Sequence, residues 1–365
     1  MTKGEYELMQ RFVIGMAAVG LTVAMGMAGA LAQDKGTVVV ASWGGTFQDA
    51  QRETMFKPFE KETGIKVIEA TGPSMAKIKS MVDSGNVEWD VSGMTPGDFL
   101  VLYRDGYTQK FDYDRYFKSM KADIVPETIH PHGIGNFFYS KVIAYNTKAF
   151  KPGEHPKSWA DVWDAQKYPG PRMIDAGDWV VPPLEYALMA DGVDADKLYP
   201  LDMERAYKSM TKIKPNVVKF SNKSAMPPQA LVDGEAVIAA ATLGRVLALK
   251  ESGAPVDFEY NQGLIQFDYW MIPKGAKNYE NAMKFIEFAT RPEVQAALVK
   301  TQALGPVNLK AFDHLDPARA KVLPSYPENL KKQVFLNADW WSKSDASGKS
   351  NLQKNQEMWN RWSLQ

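Results

Sequence analysis

The sequence predicts an α/β protein built as two αβ lobes joined by two long strands, and three observations lead there. Residues 37–70 read as a strand, loop, helix, strand unit. The same order of short apolar strand, polar loop and helix returns after residue 172. Two long strand patterns, at 140–145 and 263–272, stand where the chain would cross between lobes and come back.

The first unit opens on the β-branched run Thr37, Val38, Val39, Val40, which suits a buried strand. Ser42, Trp43, Gly44 and Gly45 follow as a turn. Thr46 is placed as N-cap of a helix with Asp49 at its third position, and Gly64 ends that helix before a strand over 65–70. In an open parallel sheet, unpaired N–H groups gather where a strand's carboxyl end meets the next helix, so an aromatic and two glycines there read as a binding loop. A tight turn with a core tryptophan is the alternative.

A helix over 75–82 and a short strand over 88–91 come next. Thr95 as N-cap, Pro96 behind it and Asp98 at the third position start a helix ending near Gly106. Two strand-end loops then open from one sheet, which points to a cleft. Residues 135–145 alternate as a long strand. Ser158 with Asp161 starts a helix, 173–175 is a strand, and a polar loop through Asp175 and Asp178 leads to a helix around Leu184. Further helices are expected at 205–213, 227–232, 279–288 and 293–300, with strands at 217–220 and 237–241. Residues 313–365 read as largely helical, and 342–349 as a flexible loop by composition. The strand over 263–272 carries Asp268 in its middle. An unpaired buried charge costs several kcal/mol, so this carboxylate is paired or faces a polar cleft.

Residues 1–32 read as a secretory signal: Lys3 and Arg11 precede an uncharged run that ends in Ala30-Leu31-Ala32, with cleavage expected after Ala32 and a periplasmic destination. An uncleaved anchor is the alternative. Lys plus Arg equals Asp plus Glu at 43 each, so no net field draws the chain to nucleic acid or membrane. There is no cysteine and there are four scattered histidines, which leaves little for a metal; no cofactor is called for, and a monomer is expected. No Gly-x-Ser-x-Gly elbow or cysteine nucleophile appears, and no histidine pairs with an activated serine, so no enzyme is expected.

The segments WGGTFQDAQRETMFKPFEKETGIKV, WDVSGMTPGDF, IAYNTKAF, SWADVW, ALVDGEAVIAA, FDYWMIPKGAKNYENAMKFIEFATRPEVQAAL and LGPVN occur in this order across roughly residues 37–345. Together the set resembles the periplasmic solute-binding proteins of ABC importers, in the spermidine/putrescine-binding branch. The resemblance implies the type II periplasmic binding fold: two αβ lobes on a two-strand hinge that close around a small solute and deliver it to permease subunits in the inner membrane. It divides the chain into residues 33–141 with 270–320, and 142–269 with 321–365. It also implies a ligand site. Trp43 with Gly45 and Thr46 forms an aromatic wall, Thr95 lies on the neighbouring loop and Asp178 on the acidic loop of the second lobe. Asp268 holds a ligand amine, and Trp341 supplies a late contact.

Two departures from that pattern set the ligand. Thr242 and Gln266 stand where polyamine binders carry tryptophans, and Arg245 lies three residues past Thr242. A guanidinium suits a carboxylate, which it can hold through two parallel hydrogen bonds, and it repels a polyamine. The sequence therefore favours an amine-containing solute that also carries an acid group, of the γ-aminobutyrate or opine kind. A polyamine is the alternative, with an iron or anion carrier behind it. An exposed arginine or a salt bridge within one lobe is the plain reading of Arg245.

Overall fold

The computed structural model describes residues 35–177 and 182–365. Asp178 therefore lies outside the described residues, as do the signal segment and its cleavage site. The strands are β1 Thr37–Ser42, β2 Lys66–Thr71, β3 Val91–Met94, β4 Ile129–His130, β5 Gly133–Asn146, β6 Arg172–Asp175, β7 Val217–Ser221, β8 Ile238–Thr242, β9 Val256–Met271 and β10 Val334–Phe335. They form one sheet in the order β2-β1-β3-β9-β5-β8-β6-β7, with β4 on β5 and β10 on β9. This is the two-lobed α/β architecture expected from the sequence, with the long antiparallel pair β5 and β9 running through both halves.

The register shows where the halves face each other. β3 runs antiparallel to the end of β9, pairing Met94 with Tyr269. β8 runs antiparallel to β5, pairing Thr242 with Lys141. Since β5 and β9 are themselves antiparallel, β1, β2 and β3 point one way and β6, β7 and β8 the other. Both sets of carboxyl ends thus aim at the stretch where Phe137 pairs with Asp268 and Tyr139 with Gln266. Ligands of open α/β sheets sit at such strand ends.

Each half has its own apolar core. Phe56, Phe59, Trp270 and Phe285 fill the first, and Trp159, Tyr186, Trp341, Trp359 and Trp362 the second. Full burial of one such side chain stabilises by roughly 1.5–3 kcal/mol, so a chain without cysteine draws its stability from clusters such as these two. Packing changes partner late in the chain: Leu330 and Phe335 lie against the first core, Leu336 and Trp340 against the second.

Several local expectations are corrected. The first helix begins at Gly45 with Gly44 as its cap, so Thr46 lies inside the first turn. Gly44 and Gly45 both have positive φ, which lets the chain turn earlier, and Gln48 Oε1 accepts the Gly44 N–H at 3.0 Å. That helix is not uniform, because a π-helical turn over Arg52–Phe56 precedes Lys57–Thr63. The strand expected at 88–91 is β3, displaced to Val91–Met94. Asp90 instead accepts the Val39 and Asn278 N–H groups at 2.9 Å each, so its side chain fills the place of a ladder partner. After residue 313 the helices are short, as Pro317 and Pro327 each start a new one, until Asn351–Ser363. Residues 343–350 make a turn, with Asp345 2.7 Å from Lys354 and the Asp345 N–H donating to Lys349 O.

Candidate functional site

β1 delivers Ser42 and then Trp43 to the edge of the cleft. Ser42 Oγ donates to Gln51 Oε1 at 2.5 Å, tying the strand end to the following helix. Trp43 is 37% exposed, and its indole nitrogen lies over Gly93, 3.6 Å from where a Cβ would stand. The Trp43 indole and the Tyr139 hydroxyl stand beside the carboxyl of Asp268, and each favours its ionised form. Asp268 is buried on β9 with 5% exposure, where a charge needs a partner or a polar cleft. Burial pushes its carboxyl up to about 7; the two neighbours pull it down, and Asp98 nearby adds to the rise.

Thr95 caps the helix Pro96–Arg104 as expected, with Oγ accepting the Asp98 N–H at 3.3 Å. Burial raises the Asp98 carboxyl as well. A cavity of about 480 Å³ brings Thr95, Gly97 and Asp98 together with Tyr139, Gln266 and Trp341. Trp341 lines it while packing into the second core, and its indole N–H donates to Glu185 Oε1 at 2.7 Å. Tyr199 donates to the same oxygen at 2.6 Å, and burial pushes Glu185 up to about 7.

On the opposite side, Lys141 donates to Asp175 Oδ1 at 2.6 Å in a pair with at most 5% side-chain exposure. The Tyr186 hydroxyl donates to Asp175 Oδ2 at 3.3 Å. Thr242, beside Lys141 in the ladder, is the N-cap residue of the helix Leu243–Glu251, but its hydroxyl does not cap it. Arg245 is exposed, and its Nε donates to Ser224 Oγ at 3.0 Å. It lies at the strand ends of the second half, outside the 480 Å³ cavity. Gly177 lies so close to the C-terminal helix that a Cβ would meet Trp359 at 2.5 Å. Asn355 Nδ2 donates to Gly177 O at 2.7 Å, which anchors the chain just before Asp178.

Of the expected site residues, Thr95 and Trp341 line the 480 Å³ cavity, while Trp43 and Asp268 stand together outside its lining and connect to it through Tyr139. Gly45, Thr46, Thr242 and Arg245 are not among the residues that line that cavity. Sequence reasoning missed Tyr139, Lys141, Asp98 as a cleft acid, and Glu185. Tyr139 and Lys141 had a signal: they alternate with Phe137 on a strand, and a lysine within an apolar strand poses the same question as Asp268. Glu185 and Asp98 sit in helix starts where an acid is ordinary, so nothing set them apart. No group of three or more His, Cys, Asp or Glu able to hold a metal occurs among the described residues. His130 packs against Phe99 and Tyr103, and His132 bonds to Thr108.

Comparison with known proteins decides the family. The model of the bacterial extracellular solute-binding proteins matches residues 54–328. The chain belongs to this family. Among curated relatives, the γ-aminobutyric acid-binding protein of Pseudomonas aeruginosa is 34% identical over 321 residues, 86% of this chain and 89% of the relative. The spermidine/putrescine-binding periplasmic protein of Escherichia coli is 28% identical, over 87% of this chain and 90% of its own. Among solved structures, an ABC transporter substrate-binding protein from Bradyrhizobium japonicum is 37% identical with a TM-score of 0.79, covering 90% of this chain and 99% of that one. The binding protein AgtB of A. tumefaciens R10, solved with agropinic acid, is 36% identical with a TM-score of 0.69, covering 91% and 99%. As an extracellular solute-binding protein, the chain has no helix among its described residues long and apolar enough to cross a membrane.

Proposed function

We propose that this chain is the periplasmic substrate-binding component of an ABC importer and captures an amino acid-like solute of the γ-aminobutyrate or opine type. Asp268 takes the ammonium, with the Trp43 ring against the carbon chain and Arg245 on the carboxylate. Thr95, Gly45, Thr46, Thr242 and Asp178 complete the walls, and Trp341 closes the far side. The observation that carries this reading is Asp268: a buried carboxyl beside the Trp43 indole and the Tyr139 hydroxyl, at the point where the carboxyl ends of both strand sets converge. A γ-aminobutyric acid-binding relative and an agropinic acid complex of the same fold support it.

Capture works by closure of the two halves on β5 and β9. The lobes on this reading are residues 33–141 with 270–320, and 142–269 with 321–365. Export as a monomer after cleavage at Ala32, and delivery to permease subunits, complete the reading. It involves no catalysis.

Thermal melts with γ-aminobutyrate, putrescine, spermidine and simple sugars test the proposal, since a ligand bound only by the folded state raises the melting temperature. γ-Aminobutyrate is expected to stabilise the protein and putrescine to do so weakly. Arg245→Ala is expected to remove that preference. Equal stabilisation by putrescine would overturn the role of Arg245 and favour the polyamine reading, which the polyamine-binding relative keeps in view.

A further inference from the structure

The Trp341 wall of the cavity is held from behind by a buried acid that does not itself line it. Trp341 sits in the helix Ala338–Ser342, which at five residues is too short to hold its shape alone and takes its orientation from tertiary contacts. Two donors converge on Glu185 Oε1: the Trp341 indole N–H at 2.7 Å and the Tyr199 hydroxyl at 2.6 Å. Tyr199 in turn accepts the Asn337 N–H at 3.0 Å, and Asn337 Oδ1 accepts the Trp340 N–H at 2.9 Å, capping the helix. The cap of this helix and its cavity-lining tryptophan therefore both hang on one oxygen. Trp340 packs edge-on against the Trp341 ring, with centroids 4.9 Å apart, and also lies against Tyr199.

Folding alone does not ask for an acid at this place. Glu185 is fully buried in the first turn of the helix Leu184–Ala190, yet its side chain does not cap that helix. Its second oxygen, Oε2, is buried with no hydrogen-bond partner among the described residues, and no cation offsets the effect of burial on the carboxyl. A core built for stability alone avoids an orphaned oxygen, and such exceptions collect at functional sites. What the carboxyl supplies is one oxygen that accepts two donors at once and so sets the direction of the indole N–H.

We propose that Glu185 is a positioning residue for solute capture: from outside the cavity it fixes the plane of the Trp341 ring and, through Tyr199 and Asn337, the helix that carries it. The consequence for binding rests on the reading of Trp341 as a wall of the solute site; the positioning of the ring does not. Without the acceptor the buried indole N–H is stranded, and the ring turns to find another partner. The solute then loses its fit although no group that touches it has been removed. Glutamine keeps the accepting oxygen, so position 185 requires an acceptor rather than a charge.

The test uses the full mature chain labelled with 5-fluorotryptophan, with the Trp341 fluorine resonance identified by its loss in Trp341→Phe. Glu185→Leu is expected to shift or broaden that resonance, and Glu185→Gln to return it to the wild-type position. In calorimetric titration with γ-aminobutyrate, Glu185→Leu is expected to weaken binding about tenfold, with most of the loss rescued in Glu185→Gln and no further loss when Glu185→Leu is added to Trp341→Phe. A Trp341 resonance unmoved in Glu185→Leu overturns the proposal. So does an equal loss of affinity in the Trp341→Phe background, which marks a general loosening of the second half. If γ-aminobutyrate does not bind the wild type, the zwitterion reading fails, and the resonance alone decides whether Glu185 positions the ring. Should Glu185→Leu not fold, Tyr199→Phe removes one donor and frees the Asn337 N–H; it is expected to shift the same resonance, and an unmoved resonance there overturns the proposal equally.

Discussion

If Asp268 holds a ligand ammonium, affinity must depend on pH between about 5 and 8. The perturbation is a change of pH from 8 to 5. Burial holds the empty site's carboxyl near 7, against the pull of Trp43 and Tyr139 and with Asp98 adding to the rise. An ammonium beside it keeps the carboxylate ionised, so the bound state has the lower pKa and binding releases a proton. Affinity therefore rises with pH up to about 7 and levels off above it. The ionised fraction is about 0.9 at pH 8 and about 0.01 at pH 5, a loss of roughly ninetyfold in affinity, or about 2.7 kcal/mol. Across that window the amine of γ-aminobutyrate stays charged and its acid stays ionised, so the ligand itself contributes little. Asp98, whose carboxyl burial also raises, would steepen the lower end.

Calorimetric titration of γ-aminobutyrate between pH 5 and 8, in buffers of differing ionisation enthalpy, reads both the affinity and the proton count. The expected release approaches one proton per ligand below pH 6. Asp268→Asn should bind weakly at pH 8 and show a flat profile. A dissociation constant constant within threefold from pH 5 to 8, or undiminished binding by Asp268→Asn at pH 8, would refute the placement of the amine.

Three further outcomes follow from the same geometry. Glu185 is raised by burial to about 7 from 4.5, so the stability it gives when neutral is complete below about 4.5 and is lost as pH rises through 7. About 3 kcal/mol is expected to go over that window, and Glu185→Gln should remove this part of the slope in urea denaturation at pH 5 and pH 8; parallel profiles for the two proteins would refute it. Lys141→Met leaves Asp175 buried without its cation and is expected to cost about 3–5 kcal/mol, measured by the same denaturation, with much of the loss recovered in Lys141→Met/Asp175→Leu. Arg104 reaches from the 96–104 helix to Asp339 Oδ1 at 2.6 Å and Ser342 O at 3.1 Å, bridging the cavity's rim. Its pair is exposed and worth at most about 1 kcal/mol to folding, so Arg104→Ala should leave the melting temperature nearly unchanged while speeding ligand dissociation several-fold in stopped flow.

How much of this could be read in advance divides along a physical line. Elements whose signals are local were legible: Thr95 with Pro96 and Asp98, Ser158 with Asp161 and the left-handed Gly64 all stand where the sequence put them. Boundaries failed where a side chain replaced a backbone partner, as Gln48 does for Gly44 and Asp90 for the start of β3. Such substitutions depend on a partner far along the chain, and Asn278 lies 188 residues from Asp90. The candidate site shows the same division. Asp268 was legible because a charge in an apolar strand has few acceptable fates. Lys141 obeys that rule equally, and only the crossing of β5 with β8 and β6 shows that its fate is Asp175 rather than a ligand. The consequence reaches the mechanism: of the two charged side chains that the hinge strands bury in the cleft, one is already neutralised inside the second half. Asp268, beside the neutral Trp43 and Tyr139 and with no ion pair among the described residues, is on the proposed reading the charge left for a cation to meet.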